Sequence, residues 1–233
     1  MKQFLLAFLF LLATATSGFS TIIGGSITFA CDSVGGTDSI LVRLTLYRDC
    51  TGINFGNTQS LDVIGGGPGC SPNSFDVHQV AGTGHDITPL CPGGTSPCQG
   101  GGGQLPLGIE EYVYEGWFKL GPTCNSVTFW YTSCCRTMNT ADNFHISNSI
   151  IMGSVPCNSS PQFHNDPITI TCANQPFIYN NGAIDPDGDS LAYFLVPCKR
   201  GPMIPLPPAY DIIATVPGDS VAVERQTGAI SFT

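Results

Sequence analysis

From Ser39 to Asp49 the chain reads SILVRLTLYRD, in which Ile40, Val42, Leu44 and Leu46 alternate with Arg43, Thr45 and Tyr47. A period of two sends successive side chains to opposite faces, so this run predicts a half-buried strand with one face in a core. GGSITFAC (24–31) precedes it across the turn-rich DSVGGTD, and the pair predicts a hairpin. Two further runs, IEEYVYEGWFKL (109–120) and NSVTFWYTSCC (125–135), are dense in aromatic and β-branched residues and are joined by GPTC; they predict long central strands. HISNSIIMGSV (145–155) predicts another. Between Thr51 and Gly108 the pattern weakens to short strands at SLDVIG and SFDVHQV, set among loops that end in QGGGGQLPLG (99–108). No stretch holds a 3.6-residue period with caps, so little or no helix is expected.

After the Pro/Asn/Ser-rich PCNSSPQFHNDP (156–167) a second set of short runs begins: ITITC, PFIYN, SLAYFLVP, YDIIATV, SVAVE and GAISFT. Short strands at that spacing, with turn residues between them, predict an antiparallel sandwich of the Ig-like kind. The expected organisation is a leader over 1–20, a cysteine-rich antiparallel β domain over 21–156 and a β-sandwich over 157–233. From its first strand that sandwich has about 66 residues, against the ~100 typical of the type, and is expected to be truncated.

The leader, MKQFLLAFLFLLATATSGFS, places Lys2 ahead of an apolar run from Phe4 to Ala13 followed by small residues. That is the form of a secretory signal peptide, too short for the ~20 residues of a membrane span. The mature chain is expected to be exported and not membrane-embedded. Export changes the reading of the 11 cysteines, all of which follow the leader. In an oxidising compartment they read as a disulfide framework, and the absence of CxxC pairs argues against zinc. The odd count leaves one thiol over. Cys134 and Cys135, adjacent on a strand, face opposite ways and must seek different partners; Cys91 with Cys98 is the most economical pairing because its loop is short.

The net charge is −9, or about −10 once Lys2 is removed, and charged residues make up only 11% of the chain. Nucleic acid is therefore excluded as a partner, since affinity for phosphate backbones comes from clustered Lys and Arg. Candidate chemistry is sparse. Glu111 and Glu115 share a strand face but lie ~13 Å apart at ~3.3 Å per residue, wider than the roughly 5–9.5 Å of a glycosidase pair, and Glu110 points the other way. His78, His85, His145 and His164 stand singly, and no nucleophile motif is present. Trp117, Trp130, Tyr112, Tyr114 and Tyr131 suit either an aromatic sugar platform or, as the favoured reading, core and cross-strand packing. Asn158-Ser159-Ser160 is a formal glycosylation sequon.

AIDPDGDSLAYFLVPC (183–198) packs Asp185, Asp187 and Asp189 around Gly188. Glycine is fourth and Val196 twelfth in that loop, so it is not an EF-hand. Two readings stand: a calcium site of hard carboxylate oxygens, or a tight turn whose aspartates accept backbone N–H groups.

The ordered set GGSITFAC, LTLYRDCTG, PLCPGG, GIEEYVYEGWFKL, YTSCCRTMN, CNSSPQF, CANQPFIYNNGAIDPDGDSLAYFLV and TGAISF resembles the N-terminal region of large exported proteins of Bacteroidetes-type bacteria, the gliding-motility-associated, PKD- or cadherin-like-domain surface proteins. The likeness covers nearly all of the mature chain, and YRDC and SCCR are its most specific parts. It implies that the sandwich is cadherin/Ig-like, that calcium is the one cofactor to test at the acidic turn, and that the role is structural or adhesive at the cell surface. The chain would then be the N-terminal part of a longer one, with a type IX export route. The partner would be a surface, glycan or protein ligand, with a carbohydrate-binding or polysaccharide-processing module as the alternative; no catalytic residues carry over. The resemblance also implies that Cys31, Cys50, Cys70, Cys91, Cys98, Cys124, Cys134, Cys135, Cys157 and Cys172 form the disulfides, in about nine hundred conceivable pairings, and that Cys198 is the free thiol.

Overall fold

The alternating runs form strands almost where the pattern places them. The computed structural model describes residues 22–31, 39–67, 69–70, 72–90, 92–100, 107–134, 143–151, 158–167, 176–180, 182–196, 199–201, 204–205 and 221–232. The leader, the expected strands ITITC and YDIIATV, and Cys91, Cys135, Cys157, Cys172 and Cys198 lie outside the described residues.

The protein is all-β and antiparallel. One large sheet is built from β1 (Ile22–Cys31), β2 (Ser39–Asp49), β3 (Thr58–Gly65), β4 (Ser74–Gln79), β5 (His85–Asp86), β6 (Ile109–Lys119), β7 (Ser126–Ser133) and β8 (Phe144–Ile151). Their spatial order is β1-β2-β6-β4-β3-β7-β8, with β5 also on β6. Consecutive β6 and β7, joined by the GPTC turn, do not pair; the β3–β4 hairpin lies between them. The sheet rolls until its outer strands meet: the Asn148 side-chain amide on β8 donates to the Ile27 carbonyl on β1 at 2.8 Å. A bridge of this kind blunts two edges that would otherwise offer unpaired backbone groups.

The inside of the roll is the core. Val42, Leu44 and Leu46 of β2 are fully buried there with Leu61, Val77, Tyr114 and Phe118. Each such side chain contributes on the order of 1.5–3 kcal/mol by leaving water. Phe75, Phe118 and Phe129 form a triangle of tilted and edge-to-face contacts with centroids 5.2–5.7 Å apart. Gly116 makes the close approach of β4 to its sheet neighbour β6 possible, because a Cβ there would lie 2.9 Å from the Asp76 carbonyl and 3.0 Å from Val77 Cγ1.

Two disulfides close the ends of the roll. Cys70–Cys124 ties the β3–β4 loop to the β6–β7 turn, and Cys50–Cys98 ties the end of β2 to the segment before β6. Cys31 and Cys134 are also disulfide-bonded. Cys98 thus pairs with Cys50 and not with Cys91. The physical reason is local: Ser96 accepts the Cys98 N–H at 3.1 Å and starts a 3₁₀ turn over Pro97–Gln99. Cys98 is thereby set beside Gly108, whose carbonyl accepts from Cys50 N at 3.1 Å.

The described residues beyond β8 form small pieces: β9 (Gln162–Phe163) with β11 (Ala183–Ile184), β10 (Phe177–Asn180) and β14 (Val221–Val223) on either side of β15 (Ala229–Phe232), and β12 (Lys199–Gly201) with β13 (Ile204–Pro205). PFIYN, SVAVE and GAISFT therefore supply strands. SLAYFLVP does not: residues 190–196 lie in no ladder.

Asp86 links β5 to the stapled end. It accepts from the Thr88 amide at 3.0 Å and from the Thr88 hydroxyl, which in turn accepts Ile109 N at 2.9 Å. Burial alone raises the pKa of this carboxyl, but hydrogen bonds from Thr88 and Ser96 outweigh it and hold the pKa below its ordinary 3.8. A depressed folded pKa stabilises the fold above the unfolded value, and that stability is lost as pH falls through the folded value. Between pH 5 and 3 the melting temperature of the native protein should therefore fall further than that of Asp86→Asn; parallel curves would refute the network. Gly116→Val should lower the urea midpoint by the equivalent of about 1–3 kcal/mol through overpacking, and an unchanged midpoint would show that β4 yields freely.

Candidate functional site

The acidic turn forms as a turn. Asp185 Oδ1 accepts the Asp187 N–H at 2.9 Å and the Asp189 N–H at 3.1 Å, and Gly188 takes the left-handed φ of 82° that closes the bend. Asp187 turns its other way, accepting the Ser159 N–H through Oδ2 at 2.6 Å. Ser159 and the buried Ser160 in turn run along the free edge of β1. Ser160 donates its amide to the Phe29 carbonyl at 2.9 Å and accepts the Phe29 amide at Oγ at 2.8 Å, while Ser159 Oγ accepts from Cys31 N at 3.3 Å. The turn is thus a docking device that holds residues 158–160 against the large sheet. Among the described residues no three His, Cys, Asp or Glu groups are arranged to hold a metal ion.

The three β6 glutamates are each matched to a β2 residue by strand register: Arg48 opposite Glu110, Tyr47 opposite Glu111 and Arg43 opposite Glu115. Arg48 Nε donates to Glu110 Oε2 at 2.7 Å, the Tyr47 hydroxyl to Glu111 Oε1 at 3.3 Å, and Arg43 Nε to Glu115 Oε1 at 2.8 Å. Of the histidines, His78 meets Thr58 at 3.2 Å and His145 meets Thr132 at 2.9 Å across their strand pairs. The aromatic residues divide. Tyr114 and Tyr131 are buried, Tyr112 and Trp130 half-buried, and Trp117 is 47% exposed, so no continuous platform forms.

A cleft of about 530 Å³ lies on the outer face of β1, β2 and β6. Its floor is the polar face that the alternation of β2 marks out: Arg43, Thr45 and Tyr47, flanked by Gly24, Ser26 and Thr28 of β1 and Glu111 and Val113 of β6. Its wall is the segment 162–167. That wall is held from behind, where Asn165 Nδ2 donates to the Asn180 carbonyl at 2.7 Å and the Tyr179 hydroxyl donates to the Asp166 carbonyl. Burial first, then the negative charge and hydrogen bond of Glu111 and the charge of Asp166, push the Tyr47 phenol far above its usual pKa. It stays a neutral hydroxyl at any physiological pH.

The polar face of β2 was visible in the alternation, but the cleft was not, because its wall comes from residues more than a hundred positions further on. Among the described residues no helix is long and apolar enough to cross a membrane. Comparison of the chain with family models, with curated proteins and with solved structures finds no match.

Proposed function

We propose that the chain is an exported, disulfide-locked β scaffold that serves a structural or adhesive role at the cell surface, as the N-terminal part of a longer protein, without catalysis of its own. The observation that carries this reading is the placing of covalent staples at both ends of the rolled sheet. Disulfides persist in oxidising surroundings outside the cytosol. Closing loops of 48 and 54 residues removes chain entropy from the unfolded state worth roughly 4 kcal/mol each in the loop-entropy account. The signal-like leader supports the same compartment. The commitment of Glu110, Glu111 and Glu115 to β2 partners supports a role in holding shape.

We further propose a calcium-dependent variant of the scaffold, in which a cation would join Asp185, Asp187 and Asp189 and stiffen the docking of residues 158–160. Calorimetry of the full chain with CaCl₂ and with EDTA tests it; no heat and an unchanged melting temperature would remove calcium from the reading.

For the scaffold itself, thermal melts with and without dithiothreitol, beside peptide mapping under non-reducing conditions, are decisive. Mapping should recover Cys50–Cys98 and Cys70–Cys124, and reduction should lower the melting temperature by about 10 °C or more. Free thiols at these four positions in native material, or melts that coincide, would overturn the proposal.

A further inference from the structure

We infer that the cleft over β1, β2 and β6 is a recognition site for one or two rings of a neutral saccharide, an inference that rests on the adhesive reading above and names its ligand class. Its volume of about 530 Å³ falls within the roughly 300–1,000 Å³ of small-molecule sites. The chemistry of its floor narrows the choice. Thr45 is only 9% exposed and lines the cleft; its hydroxyl has no hydrogen-bond partner among the described residues and is not sealed from solvent, so it opens to the cleft. Water satisfies that hydroxyl in the open cleft, and a ligand that displaces the water must replace its hydrogen bond. Ser26, opposite Thr45 in register, and Thr28 add two hydroxyls beside it, and the neutral Tyr47 hydroxyl a fourth. A polyhydroxylated ligand matches such a floor, giving and taking hydrogen bonds with groups that both donate and accept.

Other ligand classes fit less well. An extended peptide would need free backbone groups, but β2 and β6 are paired on both sides, the outer edge of β1 is met by Asn148, Ser159 and Ser160 at Ile27, Phe29 and Cys31, and the cleft lies over a sheet face. An anion would meet Glu111 and Asp166, while the one guanidinium in the floor, Arg43, is already paired to Glu115. A purely apolar ligand would strand the hydroxyls. Apolar surface is also present, with Val113 beside the floor and Ile23 and Phe163, 37% and 51% exposed, in the lining. Phe163 offers the ring on which the C–H face of a sugar packs.

Gly24 supplies the control. It lies in the floor over Tyr47, its φ is not in the left-handed region, and the nearest atom to an added Cβ is Tyr47 Cδ2 at an ordinary 3.8 Å. A side chain there fills the cleft without straining the strand.

The test screens the full oxidised chain on an array of neutral oligosaccharides built from glucose, galactose, mannose and N-acetylglucosamine, beside sulfated and sialylated glycans and trilysine. Titration calorimetry then measures the best binder. A neutral oligosaccharide should bind; Gly24→Leu should weaken it at least about 10-fold with the melting temperature unchanged, and Thr45→Val about 5-fold. If Gly24→Leu fails to fold, Thr45→Val alone decides, since it keeps the shape of the strand residue. Absence of any neutral binder, or preference for the anionic glycans or trilysine, overturns the inference. Neutral binding that both variants leave intact overturns this cleft as the site while the adhesive reading stands; that reading and the scaffold fail separately, the latter only on the reduction melts.

Discussion

The pairing of β2 with β6 is the constraint on which the structure depends. It runs without interruption from Ser39 opposite Lys119 to Asp49 opposite Ile109. On the inner side it brings Val42, Leu44 and Leu46 against Tyr114 and Phe118; on the outer side it sets Arg43 against Glu115 and Tyr47 against Glu111. A slip of β2 by one residue would turn its leucines to water and bury Arg43 on the face opposite Glu115, so the hydrophobic pattern and the charge pattern enforce the same register. The core, the polar floor of the cleft and the position of Cys50 beside Gly108 all follow from that one alignment.

Much of this was legible in the chain. SILVRLTLYRD and IEEYVYEGWFKL announce themselves because each keeps one face dry over its whole length, and a period of two then has a single physical interpretation. The weaker SLDVIG and SFDVHQV also form strands, for they carry the same alternation over fewer residues. SLAYFLVP shows the limit. Its residues are as strand-prone as any, yet the segment joins no ladder and is held by other means, with Tyr193 N donating to the Arg225 carbonyl at 3.0 Å and the Arg225 guanidinium 4.9 Å from the Phe194 ring. Propensity describes what a segment tolerates, whereas a strand also needs a neighbour, and neighbours are set by topology. The same gap hid the Cys50–Cys98 bond, since a short loop makes closure cheap but does not aim the two sulfurs. It hid the cleft as well, because Ser26, Thr45 and Asp166 are brought together only by the return of the chain over the sheet.

The two arginines of β2 show how burial changes the meaning of one residue type. Arg43 and Glu115 have side chains 49% and 27% exposed, and an ion pair so open to water adds only about 0–1 kcal/mol. Its value lies in quenching the one positive charge in the cleft floor. Arg48 is 2% exposed at the end of the core. Besides Glu110, it donates to the Gly52 carbonyl at 3.2 Å and the Cys50 carbonyl at 3.3 Å, and its guanidinium lies 5.7 Å from the Tyr112 ring centroid. Removing one partner of such a buried pair costs about 3–5 kcal/mol, because the other charge is left without compensation.

This makes sense of the YRDC element as a unit of packing. Tyr47 points outward to Glu111, and Arg48 points inward to Glu110 and gathers the carbonyls of the turn. Asp49 caps that turn by accepting the Thr51 amide at 2.9 Å and the Thr51 hydroxyl at 2.8 Å, and Cys50 is thereby held against Gly108 for its bond to Cys98. Four consecutive residues thus terminate the strand, close the end of the roll and orient a sulfur, each through a different interaction. Because the guanidinium, the carboxylate and the disulfide sulfur act within one turn, changing any of them disturbs the geometry the others require.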